Sequence, residues 1–214
     1  MLWQSMKKQG LFITFEGIDG CGKSTQVRKA ACFLEEKKIP ILVTREPGGT
    51  PIAEKIRDII LSPDHDSMTN RCELLLYLAS RAQHVQEKMR PALEKGVTVL
   101  CDRFQEATFA YQGFGRGFLL STVNQLNQFS TNGLKPSRTY IFDISIECAF
   151  SRMKKMVKVP DRIEKSSKEL YQKILEGYLK LASNEPSRIK IIDGEESIGS
   201  IYNKICDDLS VLFA

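Results

Sequence analysis

Residues 16–25 read Glu16-Gly17-Ile18-Asp19-Gly20-Cys21-Gly22-Lys23-Ser24-Thr25. From Gly17 to Ser24 the stretch matches the pattern G-x-x-x-x-G-K-[ST], whose glycines let several backbone N–H groups point inward at a phosphate. The residues before it, 11–15, are apolar and β-prone, and apolar residues at helical spacing follow it. A strand, a glycine-rich loop and a helix in this order predict a P-loop, because the helix adds the positive end of its dipole to the loop. We therefore expect this stretch to bind the phosphates of a nucleotide.

Two side chains of the P-loop have the chemistry that phosphates and metal ions require. Lys23 is expected to reach the β- and γ-phosphates, and the Ser24 hydroxyl to hold Mg²⁺. Asp102 follows a predicted strand in the position of a Walker-B aspartate and offers a second ligand to the ion. Arg103, beside it, could clamp a phosphate with two hydrogen bonds. The sequence therefore predicts Mg²⁺ as a cofactor, with a plain surface ion pair between Asp102 and Arg103 as the alternative.

Apolar runs alternate with helical patterns along the whole chain. The candidate strands are residues 11–16, 40–44, 97–101, 138–143 and 188–192. This alternation predicts an α/β fold of the P-loop NTPase type, with a five-stranded parallel sheet and helices on both faces. Residues 69–95 read as one long helix, and the last helix carries an apolar stripe that consists of Ile198, Ile201, Ile205, Leu209 and Leu212. Because no linker is visible, we expect one domain over residues 1–214.

Composition argues against several classes of protein. The formal net charge is only +5. The sequence contains no basic stretch with interleaved aromatic residues of the kind that would predict a nucleic-acid surface. No run is apolar and long enough for a signal peptide or a membrane span. The six cysteines form no C-x-x-C pair, so we expect reduced and mostly buried thiols. These features favour a cytosolic location without membrane or nucleic-acid partners.

A strand-end turn brings further charged residues toward the expected site. Ligands of an open α/β sheet bind beyond the carboxyl ends of the strands. After the second strand, residues 44–50 read Thr-Arg-Glu-Pro-Gly-Gly-Thr, which is typical of a tight turn. The turn directs Arg45 and Glu46 toward the crevice, and Arg57 lies on the helix that follows. A solvated turn with incidental charges is the alternative.

Two helical stretches carry side chains that suit a planar base. Tyr77 and Arg81 are four residues apart, so that they share one helix face, where a ring can stack on a base and a guanidinium can bond its edge. A packed tyrosine beside a surface arginine is the commoner outcome for such a pair. Thr108, Tyr111 and Gln112 lie within about one helical turn of each other. The glutamine amide can both donate to and accept from a base edge.

A basic segment follows the fourth strand and its helix. It holds Arg152, Lys154, Lys155, Lys158, Asp161 and Arg162. Val159-Pro160 should break any helix there. Such a segment between two helices predicts a short basic lid over phosphates, at about residues 152–165. A solvated run of charges is the alternative interpretation.

These parts favour phosphoryl transfer to an acceptor that is itself a phosphate. The reaction needs positioning, Mg²⁺ and positive charge, and an ionised phosphate oxygen needs no general base. A deoxynucleoside kinase would need a base for its hydroxyl acceptor, and Glu16 could be offered as one. A nucleotide-dependent switch would need a residue that orients water, and no glutamine is clearly placed for that.

From about residue 10 to its end, the chain resembles thymidylate kinases of the bacterial type. The resemblance rests on residues 15–25, 44–50, 102–104 (Asp-Arg-Phe), 110–113 (Ala-Tyr-Gln-Gly) and 161–164 (Asp-Arg-Ile-Glu). It implies transfer of the γ-phosphoryl group of ATP to dTMP, which gives dTDP and ADP for dTTP synthesis. It also implies a nucleoside-monophosphate kinase fold, Mg²⁺ and a homodimer.

The same resemblance implies a role for each residue of the site. ATP would be bound by Gly17, Ile18, Asp19, Gly20, Cys21, Gly22, Lys23, Ser24, Thr25 and, near the adenine, Arg152. For the sugar of dTMP, the resemblance implies Asp19 at the 3′-hydroxyl and Tyr111 against a ribose 2′-hydroxyl. The acceptor phosphate would be surrounded by Arg45, Arg57 and Arg103. For the base, it implies Tyr77 stacked on thymine and Arg81, Gln112 and Thr108 at the thymine edge, and Pro47 also belongs to the dTMP-binding set. The catalytic set is Lys23, Asp102, Arg103 and Arg162, with Ser24 and Asp102 on the metal.

The chain departs from the family pattern at the P-loop. Some members carry an arginine in the loop, where this chain has Gly20. Others place arginines in the lid, where this chain has mainly Lys154, Lys155 and Lys158. Lysine is a point charge rather than a planar fork, so the lid residue at the transferring phosphoryl group stays open, with Arg162 as one candidate.

Overall fold

A five-stranded parallel sheet forms the centre of the computed structural model, which describes residues 9–155, 161–164 and 166–214. The strands lie in the spatial order β2-β3-β1-β4-β5. Their bounds are β1 (Phe12–Glu16), β2 (Ile41–Arg45), β3 (Thr98–Asp102), β4 (Arg138–Asp143) and β5 (Ile189–Asp193). The predicted α/β class is confirmed, and each strand begins and ends within one residue of its prediction.

Helices connect the strands. In the described residues the α-helices are α1 (Lys23–Glu36), α2 (Pro51–Leu61), α3 (Asn70–His84), α4 (Arg90–Glu94), α5 (Gln105–Thr108), α6 (Leu120–Thr131), α7 (Ile146–Lys154), α8 (Lys168–Asn184) and α9 (Ile198–Leu212). A π-helical segment, Val85–Met89, joins α3 to α4, so the long helix predicted at 69–95 is continuous but widened in its middle. A second π-helical segment, Phe109–Gly115, continues α5.

Both faces of the sheet are covered, as alternation along β3 shows. Val99 and Cys101 pack in one apolar cluster with Met89 of the π-helical segment. Leu100, between them, points to the opposite face and packs in the cluster that contains Val27 of α1. Side chains of a strand alternate between faces, so a sheet with helices on both sides needs apolar residues at consecutive positions.

The last helix and the cysteines follow their predictions only in part. In α9, Ile201, Ile205 and Leu209 are buried, whereas Ile198 at its start is 56% exposed. All six cysteines are free, but Cys32 and Cys72 are exposed and Cys148 is half-buried. The expectation of mostly buried thiols is therefore wrong for half of them.

Among the described residues, no helix is long and apolar enough to cross a membrane.

The sheet register brings the two predicted phosphate-handling stretches together. Strands β1 and β3 are parallel neighbours, and Phe15 pairs with Asp102. The P-loop after β1 and the Asp102-Arg103 pair therefore meet at the carboxyl edge of the sheet. Of the predicted lid, Lys158 and Val159-Pro160 lie outside the described residues.

Candidate active site

A cavity of about 390 Å³ lies at this edge of the sheet. Of the residues predicted for the site, those that line it are Asp19, Gly20, Gly22, Lys23, Ser24, Thr25, Arg45, Pro47, Arg57, Tyr77, Asp102, Arg103, Thr108, Tyr111 and Gln112. Those outside its lining are Gly17, Ile18, Cys21, Arg81, Arg152 and Arg162. The cavity is of the size that small-molecule ligands occupy.

The P-loop is held by its own lysine and by a close contact with α7. The Lys23 ammonium donates to the carbonyl oxygens of Gly17, at 3.2 Å, and Ile18, at 2.9 Å. Gly20 has a φ of +79°, and a Cβ there would lie 2.6 Å from the carbonyl oxygen of Ala149. An arginine at this position would need both a rare backbone conformation and a shift of α7. This contact is a physical reason for the departure from family members that carry arginine in the loop.

Ser24 and Asp102, the two residues predicted to hold a metal ion, lie in direct contact. The Ser24 hydroxyl donates to Asp102 Oδ2 at 2.6 Å, and both residues line the cavity. Mg²⁺ prefers oxygen ligands and is often held by one or two protein oxygens together with substrate phosphates. Both oxygens therefore fit a magnesium ion that a bound nucleotide would help to hold.

Arg103 lies across the P-loop and holds one of its side chains, Asp19. Its φ of +73° turns the side chain back across β1, where it donates to the Gly17 carbonyl oxygen and to Asp19 Oδ1, each at 2.7 Å. Tyr111 donates its hydroxyl to Asp19 Oδ2 at 3.2 Å. Burial raises the pKa of Asp19, but the charges of Arg103 and Lys23 outweigh it and lower this pKa to about 2. Asp19 is thus ionised at neutral pH and accepts hydrogen bonds.

Two more cations of the cavity come from β2 and α2. Arg45 is exposed and donates to Glu54 Oε2 at 2.9 Å. Arg57 is half-buried and donates to the carbonyl oxygen of Pro47 at 2.8 Å. Burial and the neighbouring Arg45 charge lower the pKa of Arg57, which reflects the cost of holding two cations close together. An anion in the cavity would relieve that cost.

The remaining wall of the cavity suits a planar base. Tyr77 is half-buried there, and burial raises the pKa of its hydroxyl, which stays protonated at neutral pH. Thr108 and Gln112 are each 2% exposed and also line the cavity. The Gln112 amide nitrogen donates to Glu73 Oε1 at 3.1 Å. An aromatic ring and two hydrogen-bonding side chains thus line the same cavity.

Arg81 lies behind this wall rather than in it. Its side chain is 2% exposed, and Nε donates to Glu46 Oε2 at 2.7 Å. Nη1 donates to Thr108 Oγ1 at 2.6 Å and Asn127 Oδ1 at 2.7 Å, and Nη2 to the Phe104 carbonyl oxygen at 2.8 Å. It is therefore neither a surface arginine nor part of the cavity lining, and in this position it meets the site through Thr108.

Both arginines of the predicted lid bind backbone carbonyl groups. Arg152 donates to the carbonyl oxygen of Gly194 at 2.9 Å. Arg162 donates to the carbonyl oxygen of Ile60 at 2.8 Å and to Glu73 Oε2 at 2.7 Å. The Arg162 guanidinium is thus directed to α2 and α3, and its role at the transferring phosphoryl group stays a prediction.

Several buried residues around the site were not predicted from sequence as part of it, and Glu16 was considered only as the base of the alternative activity. Glu16 is fully buried and accepts from the Phe104 backbone N–H at 2.6 Å and from the Tyr178 hydroxyl at 3.0 Å. Burial and the nearby Glu106 carboxylate raise the pKa of Glu16 to about 8. Glu73 binds Gln112 and Arg162, as described above. The position of Glu16 beside the P-loop was a signal, but nothing local connects Tyr178 or Glu73 to the motifs.

Comparisons with known proteins agree with this geometry. A family model described as thymidylate kinase matches residues 15–205. A thymidylate kinase from Exiguobacterium sp. strain AT1b is 46% identical over 198 residues, which cover 92% of this chain and 93% of the relative. One from Geotalea daltonii is 48% identical over 195 residues, covering 88% of this chain and 91% of the relative. The crystal structure of thymidylate kinase from Ehrlichia chaffeensis superimposes with a TM-score of 0.77 at 30% identity, over 94% of this chain and 99% of that one. Since the match spans most of the chain and includes every motif that lines the cavity, the chain belongs to the thymidylate kinase family.

Proposed function

We propose how the residues of this cavity carry out the thymidylate kinase reaction, in which the γ-phosphoryl group of ATP passes to dTMP and gives dTDP and ADP. The reaction supplies dTDP for dTTP synthesis. One observation carries the assignment of roles: a P-loop and three arginines, Arg45, Arg57 and Arg103, line the same cavity. Phosphoryl transfer between two phosphates needs positioning and positive charge rather than a base, and this cavity offers both.

On the donor side, the P-loop binds ATP. The Lys23 ammonium exchanges its contacts with the Gly17 and Ile18 carbonyl oxygens for the β- and γ-phosphates. Ser24 and Asp102 would hold Mg²⁺, which would supply positive charge close to the phosphates. Arg152, beside the P-loop, lies near the adenine.

On the acceptor side, charge and shape select dTMP. Asp19, ionised and held by Arg103, accepts a hydrogen bond from the 3′-hydroxyl. The three arginines bind the acceptor phosphate. Tyr77 stacks on the base, and Thr108 and Gln112 form hydrogen bonds with the edge of the base. Pro47 completes the lining of the dTMP site. Tyr111, whose hydroxyl is bonded to Asp19, acts as the barrier to a ribose 2′-hydroxyl. Arg81 supports this end of the cavity by fixing the Thr108 hydroxyl.

The competing activity, phosphorylation of a deoxynucleoside, finds little support in the geometry. It would need a base, and Glu16 was the candidate. Glu16 is fully buried, is bonded to Phe104 and Tyr178, and is outside the lining of the cavity. A base that cannot reach the hydroxyl cannot take its proton.

A homodimer is part of the proposal. Large apolar side chains are exposed at Leu75 on α3 and at Leu119 and Phe129 at the two ends of α6, which packs on α3. Large exposed apolar side chains on two packed helices are a feature that interfaces between subunits often show. Sedimentation should find a dimer in the wild type, and Phe129→Asp should shift it toward monomer. The cytosolic location and the absence of a nucleic-acid partner stay predictions from the sequence.

A coupled assay for ADP release tests the proposed reaction. The assay contains ATP and Mg²⁺, and compares dTMP, dUMP, thymidine and no acceptor. We expect release that depends on dTMP, is silent with thymidine, and is lost when EDTA removes the metal. Release with thymidine would instead indicate a nucleoside kinase, and release without acceptor an NTPase. Activity that survives EDTA would remove the metal roles of Ser24 and Asp102.

A further inference from the structure

A buried carboxylate that has no assigned role lies directly behind the base-binding end of the cavity. Glu73, in the first turn of α3, is 1% exposed. Its Oε1 accepts from Gln112 Nε2 at 3.1 Å and from Arg116 Nε at 3.3 Å. Its Oε2 accepts from Arg116 Nη2 at 3.3 Å and from Arg162 Nη2 at 2.7 Å. Glu73 therefore connects Gln112, which lines the cavity, to an arginine of the predicted lid.

The two arginines keep Glu73 ionised. Burial would raise the pKa of its carboxyl group, but the Arg116 charge and the hydrogen bonds from Arg162 and Gln112 lower it below its usual range. An ionised carboxylate has two accepting oxygens and no proton to donate. It can therefore bind Gln112 only through the amide NH₂ group of that side chain.

This constraint fixes the orientation of the Gln112 amide. With its NH₂ group on Glu73, the carbonyl oxygen occupies the other arm of the amide. In the part of the chain that the structure describes, Gln112 Oε1 accepts no hydrogen bond, and Gln112 lines the cavity. Gln112 thus presents its carbonyl oxygen, an acceptor, to a base edge that lies opposite.

We propose that Glu73 is a positioning residue that selects imide bases over cytosine by holding the Gln112 carbonyl oxygen toward the base. Thymine and uracil carry a proton on N3 and can donate to that oxygen. The N3 atom of cytosine carries no proton. It would face the Gln112 carbonyl oxygen, and two hydrogen-bond acceptors would then meet without a proton between them. The proposal rests on the function above, in which the pyrimidine lies beside Gln112. In this proposal the Glu73 carboxylate acts on the base only through Gln112 and does not contact the nucleotide itself.

Substitution of Glu73 by glutamine should reverse the amide of Gln112. In Glu73→Gln, Arg116 Nη2 and Arg162 Nη2 still need an acceptor, so the new carbonyl oxygen takes the place of Oε2. Arg116 Nε then gives up its 3.3 Å contact with Oε1 and keeps the bond through Nη2. The new NH₂ group then faces Gln112, which can accept from it only by turning its own carbonyl oxygen away from the cavity. Gln112 would now offer a donor to the base, which suits the N3 of cytosine.

The test compares kcat/KM for dTMP, dUMP and dCMP in the wild type and two variants. In Glu73→Gln, the preference for dUMP over dCMP should fall by about tenfold, the scale of one buried hydrogen bond lost to the wrong partner. The preference for dTMP over dUMP, which depends on the methyl group alone, should not change. The matched control is Glu87→Gln, the same chemical change at an exposed position further along the same helical stretch, and it should alter neither ratio.

An unchanged ratio of dUMP to dCMP in a folded Glu73→Gln enzyme would overturn the proposal. Folding is judged by the melting temperature and by an unchanged KM for ATP, which a general structural defect would move. If this variant does not fold, ¹⁵N-glutamine NMR of the wild type with dTMP decides the matter. The proposal requires the Gln112 NH₂ protons to lie away from the thymine imide proton, and close contact between them would refute it. Failure of the proposed function is distinct, since dTMP turnover would then be absent from wild type and control alike.

Discussion

Arg81→Met should destabilise the protein strongly, because it strands a buried carboxylate. The Arg81 side chain is 2% exposed and that of Glu46 is 3% exposed, with 2.7 Å between Nε and Oε2. Methionine fills much of the same volume but supplies none of the four hydrogen bonds that Arg81 makes to Glu46, Thr108, Asn127 and Phe104. After the change, the partner left to Glu46 within this network is His84, at 3.1 Å.

The expected loss follows from the burial of this pair. Removing one partner of a buried ion pair costs about 3 to 5 kcal/mol, because the other charge stays desolvated. For a chain of this length, each kcal/mol lowers the melting temperature by about 2 to 4 °C, so the expected fall is about 6 to 20 °C. Glu46→Gln in the Arg81→Met background removes the stranded charge and should recover part of the loss.

Thermal and urea unfolding, followed by circular dichroism, measure the effect. Arg45→Met is the control, since Arg45 also pairs with a glutamate, Glu54, but the two side chains are 54% and 39% exposed. An exposed pair contributes about 0 to 1 kcal/mol, so this variant should melt within a few degrees of the wild type. Below its melting temperature, Arg81→Met should raise the KM for dTMP and leave the KM for ATP unchanged. A loss of stability no larger than that of Arg45→Met would refute the reasoning.

Three further predictions concern the P-loop, the sugar and pH. Lys23→Ala should lower kcat by about 100-fold or more, because a preorganised charge at the transferring phosphoryl group is lost; turnover near that of the wild type would remove Lys23 from the catalytic set. Tyr111→Ala should admit UMP in the coupled assay and Tyr111→Phe should not, so continued exclusion of UMP by the alanine variant would show that the ring is not the barrier. The pKa of the Glu16 carboxyl is about 8 in the folded protein and about 4.5 in the unfolded chain. Between these pH values only the unfolded chain releases the proton, so the free energy of unfolding should fall as pH rises. Glu16→Gln cannot titrate and should show a smaller fall in urea unfolding between pH 5 and pH 8; equal slopes would contradict the raised pKa.

The strands and the P-loop could be predicted because their signals are local. A buried parallel strand is a short apolar run, and the phosphate loop is a contiguous motif between a strand and a helix. The π-helical segment Phe109–Gly115 had no such signal, since one extra residue in a turn leaves the apolar spacing almost unchanged. It matters for the site, because it places Tyr111 and Gln112, neighbours in sequence, in the lining of one cavity.

The roles of the arginines were harder to predict because they depend on partners far away in sequence. Arg45 and Arg162 lie in the quoted motifs and Arg57 and Arg81 on helices outside them, and no local feature of the sequence marks which of the four lines the cavity. In the structure, the first two line the cavity, whereas Arg81 is bound to Glu46 and Arg162 to Glu73. A guanidinium whose donors already serve buried acceptors would have to leave those acceptors unpaired in order to bind a phosphate, at the cost of a stranded charge. The division between arginines that bind substrate and arginines that hold the site together is therefore set by the carboxylates behind the cavity, and only the fold brings those within reach.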